Sequence, residues 1–198
     1  MEQIRSFIAI ELPSAVKAGL TSLEKRLKQD RHSFVKWVDP EGIHLTLKFL
    51  GNISPAAVPQ IIDAITRAAQ PVSPLRLQLG QLGAFPNIRR PQVVWVGVGG
   101  EIEKLAILQK GIDAGLSPLG FTPESRSFSP HLTLGRLRDR VTPGEREDFA
   151  RWFSSVGFET HPSFEVDAIN LMKSQLTPRG AIYSQLASIE LAGGPLRI

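Results

Sequence analysis

The chain of 198 residues contains no cysteine, so its chemistry cannot use a disulfide, a thiolate metal site or a cysteine nucleophile. It also lacks a long apolar run. The longest candidates are interrupted by Glu11, Lys48 or Gly97, and they fall short of the roughly 20 residues that a membrane helix needs. The N-terminus shows no positively charged segment followed by an apolar stretch, the pattern of a secretory signal. We therefore expect a cytoplasmic protein with no membrane partner.

Aromatic residues are few, at 7%, and the charge is nearly balanced, with 23 Lys and Arg against 19 Asp and Glu. The formal net charge of +4 permits an anionic partner without requiring one. Hydrophobic residues make up 42% of the chain, which suits one globular domain or two small halves that share a core and excludes a disordered protein. No phosphate-binding glycine loop, HExxH motif or carboxylate cluster occurs, so neither a nucleotide-driven enzyme nor a zinc hydrolase is predicted.

The hydrophobic pattern predicts an α+β chain without regular βαβ alternation, so antiparallel or mixed sheets with flanking helices are favoured. Four helices are predicted. Ser14 and Ser54 are predicted to cap the first two, the third begins at residue 102 without a marked cap, and a Thr142–Glu145 capping box begins the fourth. Strand patterns cover residues 7–12, 34–38, 43–50, 75–79, 93–98, 131–136, 164–176 and 182–191. Residues 83–91 and 177–180 are predicted to link antiparallel pairs.

One tetrapeptide, His-Leu-Thr-Leu, occurs twice, at residues 44–47 and 131–134. Alternate side chains of a strand face opposite sides, so His and Thr of each copy share one face and the leucines share the other. If the two strands meet across a cleft, two imidazoles and two hydroxyls converge there. Two histidines can divide general acid and base work near neutral pH, and threonine hydroxyls can donate to a phosphate. The alternative without a catalytic role is a decayed internal duplication, in which the two tetrads persist only as strand sequence.

In a chain of this size, the two tetrads resemble the signature of the two-histidine (2H) phosphoesterases. The surrounding segments are similar to one branch, the RNA 2′,3′-cyclic phosphodiesterases, historically called 2′-5′ RNA ligases. The matching segments span nearly the whole chain, at residues 5–10, 37–38, 44–51, 83–87, 89–91, 129–136 and 174–186. The resemblance implies a single two-lobed domain over residues 1–198. Each lobe would carry an antiparallel sheet and one tetrad, with a pseudo-two-fold axis through a central cleft.

The resemblance also implies an activity, the hydrolysis of a ribose 2′,3′-cyclic phosphate to a 2′-phosphate with no metal or other cofactor. By carry-over, His44 is the proton donor to the departing 3′-oxygen and His131 the proton acceptor that activates water, while Thr46, Thr133 and Arg136 bind the phosphate. Which histidine is the acid and which the base stays open. The implied partner is RNA with a 2′,3′-cyclic phosphate end or a small cyclic nucleotide, with weak reverse 2′-5′ ligation. We expect a monomer. The alternative function is nucleotide or RNA-end binding without turnover.

Other side chains near the tetrads allow two interpretations each. Strand parity counted from His131 places Arg136 with the leucines unless Gly135 introduces a bulge. Lys48 has the parity of His44, although a lysine at a strand end is commonly just solvated. Further side chains fit either an RNA contact or a purely structural role. For the aromatic pair, Phe7 and Phe49, core packing is favoured over base stacking. For the arginines, solvation is favoured over phosphate binding: Arg89 and Arg90, and the cluster of Arg136, Arg138 and Arg140.

Overall fold

The computed structural model describes residues 3–29, 32–158, 162–178 and 180–192, and these residues form nine strands and four helices. The strands are β1 (Ile4–Glu11), β2 (Val35–Trp37), β3 (His44–Ile53), β4 (Leu75–Phe85), β5 (Val93–Gly100), β6 (His131–Leu137), β7 (Ser163–Val166), β8 (Ala168–Thr177) and β9 (Gly180–Glu190). The helices are α1 (Ser14–Lys28), α2 (Val58–Ala69), α3 (Ile102–Leu116) and α4 (Pro143–Ser155).

The strands build two antiparallel sheets, and each sheet contains one of the two tetrads. The four-stranded sheet has the order β3-β1-β8-β9 and the five-stranded sheet the order β2-β6-β5-β4-β7. The tetrads are the first four residues of β3 in the first sheet and of β6 in the second. The predicted two-lobed α+β fold with antiparallel sheets is thus confirmed.

Both sheets and the helices share one continuous apolar core. Helices α2 and α3 pack on each other and reach the four-stranded sheet through α2–β9 and α3–β3 contacts. All four leucines of the tetrads lie in this core, with at most 4% of each side chain exposed: Leu45, Leu47, Leu132 and Leu134. Since the leucine faces of both tetrads point into the same core, their histidine and threonine faces point away from it.

Several strand boundaries differ from the sequence prediction, and two of the differences change which residues pair. Residues 83–85, predicted as part of a turn, continue β4 and pair with residues 93–95. The single strand predicted over residues 164–176 is in fact two strands that separate at Asp167. Strand β7 pairs with β4 in one sheet and β8 pairs with β1 in the other. The alternating apolar pattern continues on both sides of Asp167, so nothing local marks the change of sheet.

The helix starts show which local signals hold. The Thr142–Glu145 capping box of α4 is confirmed, because the Glu145 amide donates to Thr142 Oγ1 at 3.3 Å and the Thr142 amide donates to Glu145 Oε2 at 2.9 Å. Ser14 is not a cap; α1 begins there with Pro13 as its N-cap residue, and the Val16 and Lys17 amides donate to the Pro13 carbonyl. Ser54 caps a short 3₁₀ turn that precedes α2. The turn between β8 and β9 is confirmed, although Arg179 lies outside the described residues.

Within the described ranges, no helix has the length and apolar character that a membrane crossing requires.

Candidate active site

The two tetrad histidines are held in the same way, one in each sheet. His44 and His131 begin β3 and β6, strands that contact each other across the seam between the sheets. His44 Nδ1 lies 2.9 Å from the Gly42 carbonyl oxygen, and His131 Nδ1 lies 2.6 Å from the Ser129 carbonyl oxygen. A carbonyl oxygen only accepts, so each Nδ1 carries the hydrogen and each Nε2 is the basic nitrogen. Both imidazoles therefore present the same reactive atom.

Aromatic rings restrict the orientation of each imidazole. The His44 ring stacks on Phe7 with centroids 4.5 Å apart, and the edge of Tyr183 meets it at 4.9 Å. The His131 ring meets Phe85 edge-to-face at 4.9 Å and lies 6.0 Å from Trp95. Sequence reasoning did not assign a role to Tyr183, Phe85 or Trp95, because only the strand register brings them to the histidines.

The surroundings of His44 favour its neutral form. Burial is the main cause that lowers the pKa of His44, and the nearby charge of Lys17 lowers it further, while the hydrogen bond to Gly42 acts in the opposite direction. The imidazolium of His44, once formed, is consequently a stronger acid than a solvated histidine.

A β-bulge follows the threonine of each tetrad, at the same position in both copies. In β3 the register passes from Thr46 opposite Ala9 to Lys48 opposite Ile8, which leaves Leu47 unpaired. In β6 it passes from Thr133 opposite Trp95 to Gly135 opposite Val94, which leaves Leu134 unpaired. An extra residue in one strand reverses the facing of every side chain beyond it. Parity counted from the histidines therefore fails after the tetrad.

In β6 the bulge brings Arg136 to the histidine side. Arg136 pairs with Val93, which shares a face of β5 with Trp95 because the two are two residues apart. The Arg136 side chain is exposed, so it does not lie with the buried leucines, as strand parity counted from His131 had suggested. The bulge lies at Leu134, one residue before the Gly135 named from the sequence.

In β3 the same bulge overturns two interpretations. Lys48 does not share the face of His44; it is 8% exposed, on the core side, and its Nζ bonds the Asp113 carboxylate of α3. Phe49 is not a core residue but is 69% exposed, with its ring 6.3 Å from that of Phe7. The core prediction for Phe7, which is 3% exposed, is confirmed.

The depressions on the two sides of the tetrads differ in charge. The one beside His44, about 310 Å³ in volume, is lined by Glu11, Asp39 and Glu41 against Lys17. The one at the end of β6, about 380 Å³, is lined by Arg136, Arg138 and Arg146 against Asp139. Within the described part of the chain, no three His, Asp or Glu side chains are grouped closely enough to ligate a metal ion.

Two antiparallel sheets that each contribute one His-x-Thr strand, with both histidines presenting Nε2, define a phosphoesterase of the two-histidine class. The sequence model described as LigT-like phosphoesterase matches the chain twice, over residues 10–95 and 96–183. The chain belongs to this family. Each match contains one tetrad, so the family unit itself is repeated in the two halves.

Individual relatives agree over almost the full length. The RNA 2′,3′-cyclic phosphodiesterase of Methanothermobacter thermautotrophicus is 31% identical over 189 residues, which covers 96% of this chain and 100% of that protein. A crystal structure of a Thermus thermophilus protein matches with a TM-score of 0.78 at 28% identity, over 96% of this chain and 99% of that one. The crystal structure of E. coli LigT complexed with ATP matches with a TM-score of 0.71 at 25% identity, with the same coverage.

Proposed function

We propose that the protein hydrolyses the 2′,3′-cyclic phosphate of an RNA end or small nucleotide to a 2′-phosphate, with two histidines as acid and base and no metal ion. The observation that carries this proposal is the matched pair of imidazoles, each with Nδ1 bonded to a backbone carbonyl and Nε2 left basic. The substrate class is supported by the curated relative, which is an RNA 2′,3′-cyclic phosphodiesterase.

In the proposed reaction, His131 Nε2 takes a proton from water as the water oxygen attacks phosphorus. The bond from phosphorus to the ribose 3′-oxygen breaks, and His44 Nε2–H gives that oxygen its proton. The phosphate stays on the 2′-oxygen. Each positioned proton transfer typically contributes about 10²- to 10⁴-fold. The lowered pKa of His44 suits the donor role, because a stronger acid protonates an alkoxide leaving group more readily, and the substrate anion helps to keep its proton in place.

The remaining groups bind rather than react. The hydroxyls of Thr46 and Thr133 and the guanidinium of Arg136 hold the phosphate oxygens, with the arginine able to bind two oxygens at once. The exposed ring of Phe49 supplies a face on which the base can stack. E. coli LigT has been crystallised with ATP, which supports a nucleotide-sized ligand.

The same acid and base also serve the reverse reaction, since each step is reversible at the same groups. Weak 2′-5′ ligation therefore belongs to the proposal, with hydrolysis dominant because water is in large excess. A single two-lobed domain acting as a monomer in the cytoplasm remains a prediction.

The test is hydrolysis of 2′,3′-cyclic AMP in EDTA, with the product isomer identified by phosphorus NMR. We expect turnover to the 2′-phosphate, and we expect His44→Asn and His131→Asn each to lower kcat at least about 100-fold with unchanged circular dichroism. Replacing Arg67 of α2, an exposed residue outside the cleft, by Gln is the control and should leave kcat unchanged. Activity that disappears in EDTA and returns with a divalent metal would refute the metal-free mechanism. Nucleotide binding without any turnover would favour the binding protein.

A further inference from the structure

We propose that the groove at the end of β6 binds the RNA backbone that precedes the cyclic phosphate, so that the enzyme prefers oligonucleotides to mononucleotides. This inference rests on the proposed function for the identity of the reacting end. We call the groove, lined by Gln92, Val93, residues 136–139 and Arg146, the arginine groove. It is a second phosphate site that adjoins the one between the tetrads, and Arg136 lies where the two meet.

The arginine groove continues directly from the tetrad. Arg136 lines it and also lies on the histidine side of β6, because of the bulge at Leu134. On the neighbouring strand, the partner of Thr133 is Trp95 and the partner of Arg136 is Val93. Two residues of a strand span about 7 Å. A polynucleotide whose terminal phosphate is held at Thr133 therefore reaches the groove with its next phosphates.

Three arginines line the groove against one carboxylate residue, Asp139. Arg136 and Arg138 are both exposed, and neither forms an ion pair with any residue in the described part of the chain. Lys36 of β2 stands directly opposite Arg136 and is exposed as well. Arg146 arrives from α4, where its guanidinium is bonded to the Pro91 carbonyl. Unpaired guanidinium groups along a groove are suited to successive phosphodiesters.

Charge also determines the direction in which the RNA leaves the site. The depression beside His44 is lined by three carboxylate residues, Glu11, Asp39 and Glu41, against the single cation of Lys17. A polyanion is repelled there and attracted to the arginine groove. A cyclic mononucleotide carries no phosphodiester beyond the cyclic one that reacts at the histidines, so it gains nothing from this asymmetry.

The test compares kcat/KM for a hexanucleotide ending in a 2′,3′-cyclic phosphate with kcat/KM for 2′,3′-cyclic AMP. The variant is Arg138→Glu, since Arg138 is exposed and no role in the reaction has been assigned to it. We expect a loss of at least about fivefold on the hexanucleotide and less than about twofold on cyclic AMP. The variant should also show a shallower salt dependence with the hexanucleotide, by about one phosphate contact. Arg67→Glu, on α2, is the matched control and should change neither value.

A binding measurement separates this inference from the proposed function. Fluorescence anisotropy with a labelled hexanucleotide ending in a 2′-phosphate needs no turnover, and we expect Arg138→Glu to weaken its affinity at least about fivefold relative to Arg67→Glu. Equal losses for both variants, or equal effects on hexanucleotide and mononucleotide, would overturn the groove as a backbone site. Wild-type hydrolysis of neither substrate, with specific loss of affinity in Arg138→Glu, would overturn the proposed reaction and leave the groove supported.

Discussion

Replacement of Lys48 by methionine is expected to destabilise the protein strongly, although Lys48 faces away from the histidines. Its Nζ is bonded to the Asp113 carboxylate and donates to the Thr122 carbonyl at 2.9 Å. The two side chains of the ion pair are only 7% and 15% exposed. Methionine keeps the apolar stem of Lys48 but removes the charge, so Asp113 retains one hydrogen bond, from the Glu124 amide at 2.9 Å.

The magnitude follows from the burial of the pair. Removing one partner of a buried ion pair costs about 3–5 kcal/mol because the other charge is left uncompensated. Because Asp113 is still 15% exposed, we expect the lower end, about 3 kcal/mol. For a chain of this length each kcal/mol lowers Tm by about 2–4 °C, so Lys48→Met should lose about 6–12 °C. Adding Asp113→Asn to Lys48→Met removes the remaining charge and keeps the acceptor for the Glu124 amide, so most of the loss should be recovered.

The assay is urea and thermal unfolding of the two single variants and the double variant at pH 7, followed by circular dichroism. Lys104→Met is the matched control, since Lys104 is 41% exposed and pairs with an exposed glutamate; its cost should stay below about 1 kcal/mol. The reasoning fails if Lys48→Met is as stable as this control, or if the two substitutions are additive, because additivity would mean that the two charges are not coupled.

Two further predictions concern the cleft. Burial lowers the pKa of His44 from its usual 6.5, and the donor must be protonated, so kcat/KM should fall as the pH rises through a value below 6.5. The kcat should persist to higher pH, because the bound phosphate stabilises the imidazolium. An alkaline limb of kcat/KM that lies above 6.5 would contradict His44 as the donor. Phe49→Ala should raise KM for 2′,3′-cyclic AMP at least about fivefold with kcat nearly unchanged, since stacking of a base on an aromatic ring is worth about 1–3 kcal/mol. Phe49→Trp should restore KM. An unchanged KM in the alanine variant would rule out base stacking on this ring.

The placement of the polar pairs was predictable from the sequence because it depends only on strand periodicity within four residues. His44 and Thr46 share a face before the bulge begins, and the same holds for His131 and Thr133. The bulge in β3 was not predicted, since its tetrad is compatible with a regular strand, whereas in β6 Gly135 had suggested a bulge that lies one residue earlier. The unpaired residue in each strand, Leu47 or Leu134, reverses the facing of the residues that follow it. Lys48 therefore lies on the core side, whereas Phe49 and Arg136 lie on the histidine side.

Long-range placement was also beyond the sequence pattern. Tyr183 reaches His44 from β9, although β9 is separated from β1 by β8 in the sheet order. Arg146 reaches the arginine groove from α4, while the nearby Arg138 was already recognisable as part of a basic cluster. Periodicity specifies which face a residue occupies, but which elements meet is decided by packing in the shared core.

The two halves of the site diverge at the fifth residue after each histidine. The bulges place Phe49 and Arg136, each five residues after its histidine, at equivalent positions on the histidine side of β3 and β6. One offers an aromatic face and the other an unpaired guanidinium, and under the proposed function these bind the base and the phosphate of the substrate.

The preceding residues, Lys48 and Gly135, diverge for a packing reason. A Cβ at Gly135 would lie 3.0 Å from the side chains of Trp37 and Val35 in β2, so a larger residue there would require these side chains to shift. Strand β3 is an edge strand with α3 beside it, which leaves room for Lys48 to reach Asp113. The two strands thus share the bulge, and the residues after it differ: Lys48 is ion-paired to α3 in one half, and Gly135 packs against β2 in the other.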